Sequence, residues 1–110
     1  MKKLALLLFP LFILAQTPQH SVTLNWVDTS NPSGTNYSVY RSVGLCSGTP
    51  SFSKLASAVT AKTYVDSTVT PGNYCYEVTA VFQSVESAPS NTALAPVPTF
   101  PPANLSVTVQ

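Results

Sequence analysis

Charge is scarce in this 110-residue chain: 8% of its residues are Asp, Glu, Lys or Arg, and the formal net charge is +1. Lys2 and Lys3 lie in a segment expected to be removed. What then remains is Arg41, Lys54 and Lys62 against Asp28, Asp66, Glu77 and Glu86, a net charge of −1. A nucleic-acid partner, which needs a basic patch, is excluded on that balance, and so is a polybasic membrane surface. Histidine occurs once, at His20, ahead of the first apolar alternation and without a nucleophile elbow. A Ser-His-Asp or Cys-His set has nothing else to use. The carboxylates do not follow a calcium-loop pattern, and four glycines make no phosphate-cradling loop. The two cysteines form no CxxC motif and have no histidine nearby, which argues against metal or redox chemistry. No cofactor, no metal and no enzyme activity are expected. Long Ala/Glu/Lys/Leu stretches are missing after residue 20, which disfavours helices. Ten prolines and many Ser, Thr, Val and Tyr favour strands and turns instead. The length suits one domain.

The chain opens with two lysines and then twelve mostly apolar residues, Leu4 to Ala15, with Pro10 among them. A membrane-spanning helix needs about 20 apolar residues, so residues 1–15 read as a secretory signal peptide. Cleavage is expected after Ala15, although Ile13 is larger than the small residue usual two positions earlier. An uncleaved anchor is the alternative. No cysteine adjoins the apolar run, which argues against a lipoprotein anchor. The mature chain is therefore expected outside the cytoplasm, extracellular or periplasmic, with no membrane insertion after cleavage.

From Ser21 the chain alternates with period two, the mark of strands with one buried face. Val22, Leu24 and Trp26 face inward in the first such run. Asp28 to Thr35 is a turn cluster. Tyr37 and Val39 face inward in the run Asn36–Arg41, with Ser38 and Tyr40 outward. Ser42 to Ser51 is a loop holding Cys46. Phe52–Leu55 and Tyr64–Asp66 are short strands. Pro71-Gly72-Asn73 is turn chemistry, and it leads into the long run Tyr74–Phe82. Here Tyr74, Tyr76, Val78 and Ala80 face inward, and Cys75, Glu77, Thr79 and Val81 outward. Gln83–Glu86 turns the chain, and Ala88–Val97 is the last strand of the domain. Six strands with turns between them predict an all-β antiparallel sandwich. Asp66 is expected to hold a corner by accepting backbone N–H bonds and Asp28 to serve a turn. Glu77 and Glu86 are expected in solvent.

Over roughly His20–Pro98 the chain resembles a fibronectin type III domain, in the tone of bacterial secreted versions. The segments that carry the resemblance are SVTLNW, YSVYR, YVDSTVTPGNYCYEVTAV and ESAPSN. It implies an immunoglobulin-like sandwich of seven strands in two sheets. It also implies a tyrosine corner in which Tyr74 or Tyr76 bonds the backbone at the Val69–Pro71 turn. The family's first strand is missing: between Ala15 and Ser21 stands only QTPQH. After the proline-rich stretch, however, residues 99–110 end in ANLSVTVQ, where Leu105, Val107 and Val109 alternate. That tail reads as a linker followed by a first strand. Three fates stay open for it: unattached, packed on its own domain, or paired with the sheet edge of the next molecule.

In that fold the end of the Asn36–Arg41 strand lies beside the start of the long strand. Cys46 can therefore return to Cys75, and pairing is expected in an exported chain. Tyr40 should stand on an outer sheet face. The function predicted is a secreted, non-catalytic interaction or spacer module that binds an unknown protein or polysaccharide. The alternative is an extracellular fibre subunit that associates head to tail through its C-terminal strand.

Overall fold

The computed structural model describes residues 17–110; the leader predicted at residues 1–15 lies outside them. Seven strands form: β1 (Val22–Asn25), β2 (Asn36–Val43), β3 (Ser53–Val59), β4 (Thr63–Asp66), β5 (Gly72–Phe82), β6 (Val85–Glu86) and β7 (Ala93–Val97). β1 and β4 pair antiparallel as one sheet, and β3, β2, β5, β6 and β7 make the other, with β6 and β7 both on β5. Their facing sides share one core. Val39, Val69, Tyr74, Tyr76 and Val97 are buried in it, and Val22, Leu24, Trp26, Tyr64 and Val78 pack against them.

Val39 is fully buried and Tyr37 nearly so, and the Trp26 ring meets Tyr37 edge-on at 5.3 Å. Five of the expected core residues are less covered. Val22, Leu24, Trp26, Val78 and Ala80 are only half-buried. The cause is architectural: among the described residues β4 is the only strand paired with β1. The flank of the sandwich that holds Leu24, Trp26 and Val78 therefore stays open.

The strand boundaries follow local chemistry. β3 runs on to Val59, farther than the apolar pattern predicts. It carries a bulge, because its register with β2 shifts between Tyr37 and Val39 and Ala58 turns left-handed at φ 55°. β6 falls inside the segment expected as a turn, Gln83–Glu86, and the strand expected over Ala88–Val97 begins only at Ala93. Gln83 and Ser84, at φ 48° and 64°, form the tight turn that folds β6 back on β5. Residues 87–92 then leave the ladder around Pro89, which has no N–H to offer. Serine hydroxyls fill the gaps: Ser87 Oγ accepts the Ala80 N–H at 2.9 Å, and Ser90 Oγ accepts the Val78 N–H at 3.0 Å. β7 resumes as an edge strand, where Pro96 is tolerated.

Val97 pairs with Gly72 and Val22 with Asp66, so the end of β7 and the start of β1 sit at the same pole, beside the β4–β5 corner. There Phe100 stacks on His20 with ring centroids 4.1 Å apart. Residues 101–110 form no strand and lie exposed, so the segment does not pair with its own domain.

Candidate interaction surface

At the corner several hydrogen bonds converge on one buried carboxylate. Gly72 opens β5 at φ +146°, a conformation side-chain-bearing residues rarely adopt, which is why glycine follows Pro71 there. Tyr74 Oη accepts the Thr70 N–H at 3.0 Å, so Tyr74 is the tyrosine that bonds the corner backbone. Tyr76 reaches past it and donates to Asp66 Oδ2 at 2.7 Å. Asp66 is 1% exposed. It also accepts the Thr68 N–H at 3.0 Å, the Thr68 hydroxyl at 2.6 Å and Arg41 Nη1 at 2.9 Å. Burial alone would raise its pKa. The bonds from Thr68, Tyr76 and Arg41 outweigh burial and hold the carboxyl at about 2. Burial and the same carboxylate push the Tyr76 hydroxyl well above the ordinary tyrosine range. Arg41 lies over the Tyr74 ring at 5.2 Å, which ties β2 into the corner. A carboxylate with every approach filled by donors of its own fold is a structural anchor.

Asp28 does the same for the loop after β1. It accepts the backbone N–H groups of Ser30 and Asn31 at 3.2 and 3.1 Å, and the Tyr37 hydroxyl at 2.8 Å. The Asn31 side chain, then Tyr37, lower its pKa to about 2.

Cys46 and Cys75 are joined in a disulfide closing 29 residues, with Cα atoms 5.1 Å apart. Alternation puts Cys75 on the outer sheet face, yet it is fully buried, because the bridge brings the Cys46 loop to it. Glu86 lies exposed on the outer face, as expected, whereas Glu77, also expected in solvent, is half-buried. Glu86 also accepts bonds from the hydroxyls of Tyr40 and Thr79, while Lys54 lies 5.7 Å from the Tyr40 ring centre. The Tyr40 ring is held by its neighbours rather than presented as a bare platform.

The open flank is different. Trp26 N–H donates to the Lys62 carbonyl at 3.1 Å, which makes Val22, Leu24 and Trp26 the residues of β1 and its extension whose backbone groups face β4. The N–H and C=O groups of Thr23 and Asn25 consequently point along the sheet to the unpaired side. Beside that edge runs a groove of about 410 Å³, walled by Leu24, Trp26, Tyr76, Val78, Asn91 and Ala93. Trp26 Nε1 is buried with no hydrogen-bond partner among the described residues, and Val27, just beyond the strand, is 85% exposed. Sequence reasoning finds the inward face of β1 but not the groove, which depends on how the second sheet passes beneath it. Leu105, Val107 and Val109 stand apart from this site on the exposed tail. His20, the only histidine, stacks on Phe100 at the opposite pole from the loop that holds Asp28. Among the described residues no group of three or more His, Cys, Asp or Glu is gathered in space.

No family model matches the chain, and no curated protein matches it. Among solved structures it is similar to the fourth fibronectin type III domain of a human protein, determined in solution. The TM-score is 0.60 at 18% identity, covering 78% of this chain and 72% of that one. The fold is therefore an immunoglobulin-like β-sandwich of the fibronectin type III kind.

Proposed function

We propose that the chain is a non-catalytic interaction module acting outside the cytoplasm, and that it meets its partner along the free edge of β1. The observation that carries this reading is the row of Thr23 and Asn25 backbone groups, unbonded among the described residues, above an open apolar groove. Exposed strand edges of this kind recruit extended segments through main-chain bonds. The carboxylates with lowered pKa do not compete as an active site, since Asp66 and Asp28 are occupied with the corner and a loop. The outer face is the weaker surface for stacking a sugar, because Lys54 and Glu86 already engage Tyr40. The disulfide supports an oxidising compartment, and the apolar run at Leu4–Ala15 supports export.

Two measurements test these points. Expressed with its own leader, the chain should be recovered outside the cytoplasm with an intact mass lacking residues 1–15 and two thiol hydrogens. Full mass in the cytoplasmic fraction would refute export. The recovered protein, labelled with ¹⁵N, should then be titrated with a peptide of alternating Val and Thr and, separately, with a cello-oligosaccharide. Amide shifts confined to Thr23, Asn25 and Val27 on adding the peptide are expected. Shifts at Tyr40 and Lys54 on adding the sugar would move the surface to the outer face, and hydrolysis of the sugar would end the non-catalytic reading.

A further inference from the structure

We propose that the segment filling the free edge of β1 is residues 105–109 of a second copy of this chain, laid antiparallel to β1, so that molecules join head to tail. This rests on the reading of β1 as the interaction edge and names its partner.

Four observations converge on this occupant. First, the tail has the pattern the groove accepts. Leu105, Val107 and Val109 are 92%, 79% and 88% exposed and alternate with Ser106 and Thr108. Set antiparallel with Leu105 opposite Trp26, Val107 falls opposite Leu24 and Val109 opposite Val22. Apolar side chains then meet apolar side chains over the groove. Ser106 and Thr108 fall opposite Asn25 and Thr23, the two residues whose N–H and C=O groups face the open side.

Second, neither strand is defended. Exposed edges are commonly blunted by charged side chains, yet no charged residue occurs from Ser21 to Val27 or anywhere after Glu86. Third, the chain's own tail cannot reach this place in the antiparallel sense. β1 starts at the corner pole, so an antiparallel partner must enter at the opposite pole. Phe100 is held at the corner pole by His20, which leaves Pro101–Asn104 as the connection. The five steps from Phe100 to Leu105 cover about 16 Å at roughly 3.1 Å each. Leu105 would have to stand beside Trp26, six residues along the chain from His20 and about 20 Å away at roughly 3.3 Å each, and the chain would then have to reverse. A copy whose β1-end loop abuts the corner pole of its neighbour needs only the short step. Fourth, Pro101 and Pro102 stiffen that step in an extended form and hold the donated strand away from its own sheets.

Light scattering on the full chain across a concentration series provides the test. The wild type should form a ladder of multimers that grows with concentration. Val107→Asp puts a charge on the donated strand without touching the folded body. Thr23→Pro removes an N–H that β4 does not use. Each variant alone should be monomeric. Mixed, they should give a 1:1 complex and nothing larger, because one retains an intact edge and the other an intact tail. A wild type that stays monomeric to its solubility limit overturns the proposal, as does a ladder unchanged by Val107→Asp. Should Thr23→Pro fail to fold, a synthetic peptide of residues 99–110 replaces it. Added to ¹⁵N-labelled Val107→Asp chain, it should shift the Thr23 and Asn25 amides, and no shift there counts against the proposal. A monomeric wild type whose β1 amides still respond to the Val/Thr peptide would remove self-association and leave the interaction edge standing. If no peptide perturbs β1, both readings fall.

Discussion

Replacing Asp66 by alanine is expected to destabilise the domain by about 3–5 kcal/mol, the range for removing one partner of a buried ion pair. The change should appear as a fall in the urea midpoint at nearly constant slope. Truncation leaves the Tyr76 hydroxyl buried without its acceptor, Arg41 without its counter-charge and the Thr68 amide without its turn bond. An asparagine side chain in the same place keeps an acceptor and the volume but not the charge, so Asp66→Asn should lose less than Asp66→Ala. The same carboxylate gives the domain its acid sensitivity. Its pKa is lowered from 3.8 to about 2 on folding. The stabilisation it supplies is therefore fully present above pH ~4 and lost as the pH falls through ~2; it amounts to about 2–3 kcal/mol. Urea midpoints measured between pH 5 and pH 2 should decline in the wild type and decline less in Asp66→Asn. Equal decline in both would place the acid sensitivity elsewhere.

Opening the Cys46–Cys75 bridge is the second large effect. With 29 residues in the closed loop, the chain-entropy model assigns the bridge roughly 3–4 kcal/mol, acting mainly on the unfolded state. The double variant Cys46→Ser, Cys75→Ser should lower the urea midpoint accordingly. Its folded core should change little, since Ser42 and Cys75 sit opposite one another on the outer face rather than among the core side chains. Thermal unfolding with and without a reductant gives the same comparison on the unaltered chain. Coincident curves would mean that the bridge constrains nothing the sheets do not already constrain.

Much of the fold follows from side-chain periodicity. Alternation identifies the buried tyrosines of β5 and the inward residues of β2, and Pro71-Gly72 marks the corner because few other residues accept the backbone required there. What escapes has a physical reason in each case. Arg41 continues the inward parity of Tyr37 and Val39, but a guanidinium at a strand end reads as solvated. Its partner Asp66 stands far along the chain and is brought close only when β4 packs over β2. Cys75 obeys its outward parity and is nevertheless buried, since a covalent neighbour covers it. The break between β6 and β7 is hidden because Ser87 and Ser90 substitute hydroxyls for backbone partners, a bond pattern no local propensity encodes. The half-exposed core of β1 cannot be read from β1 at all. Alternation reports which face turns inward; whether anything closes the flank is decided by the rest of the sheet.

The stacking of Phe100 on His20 brings the chain's entry to the sandwich and its exit to one pole, and this has a mechanical consequence. Tension applied between these two points pulls β1 and β7 away from the pole that both share. Their ladders are then loaded one rung at a time, as in a zipper, rather than all rungs together in shear. Such a domain yields to small forces at its margins. The peeling stops at β5, where the covalent link to the Cys46 loop keeps the 29-residue span closed. Under load the molecule would act as a short extensible tether with a fixed stop, its outer strands giving way while β2 and β5 hold together.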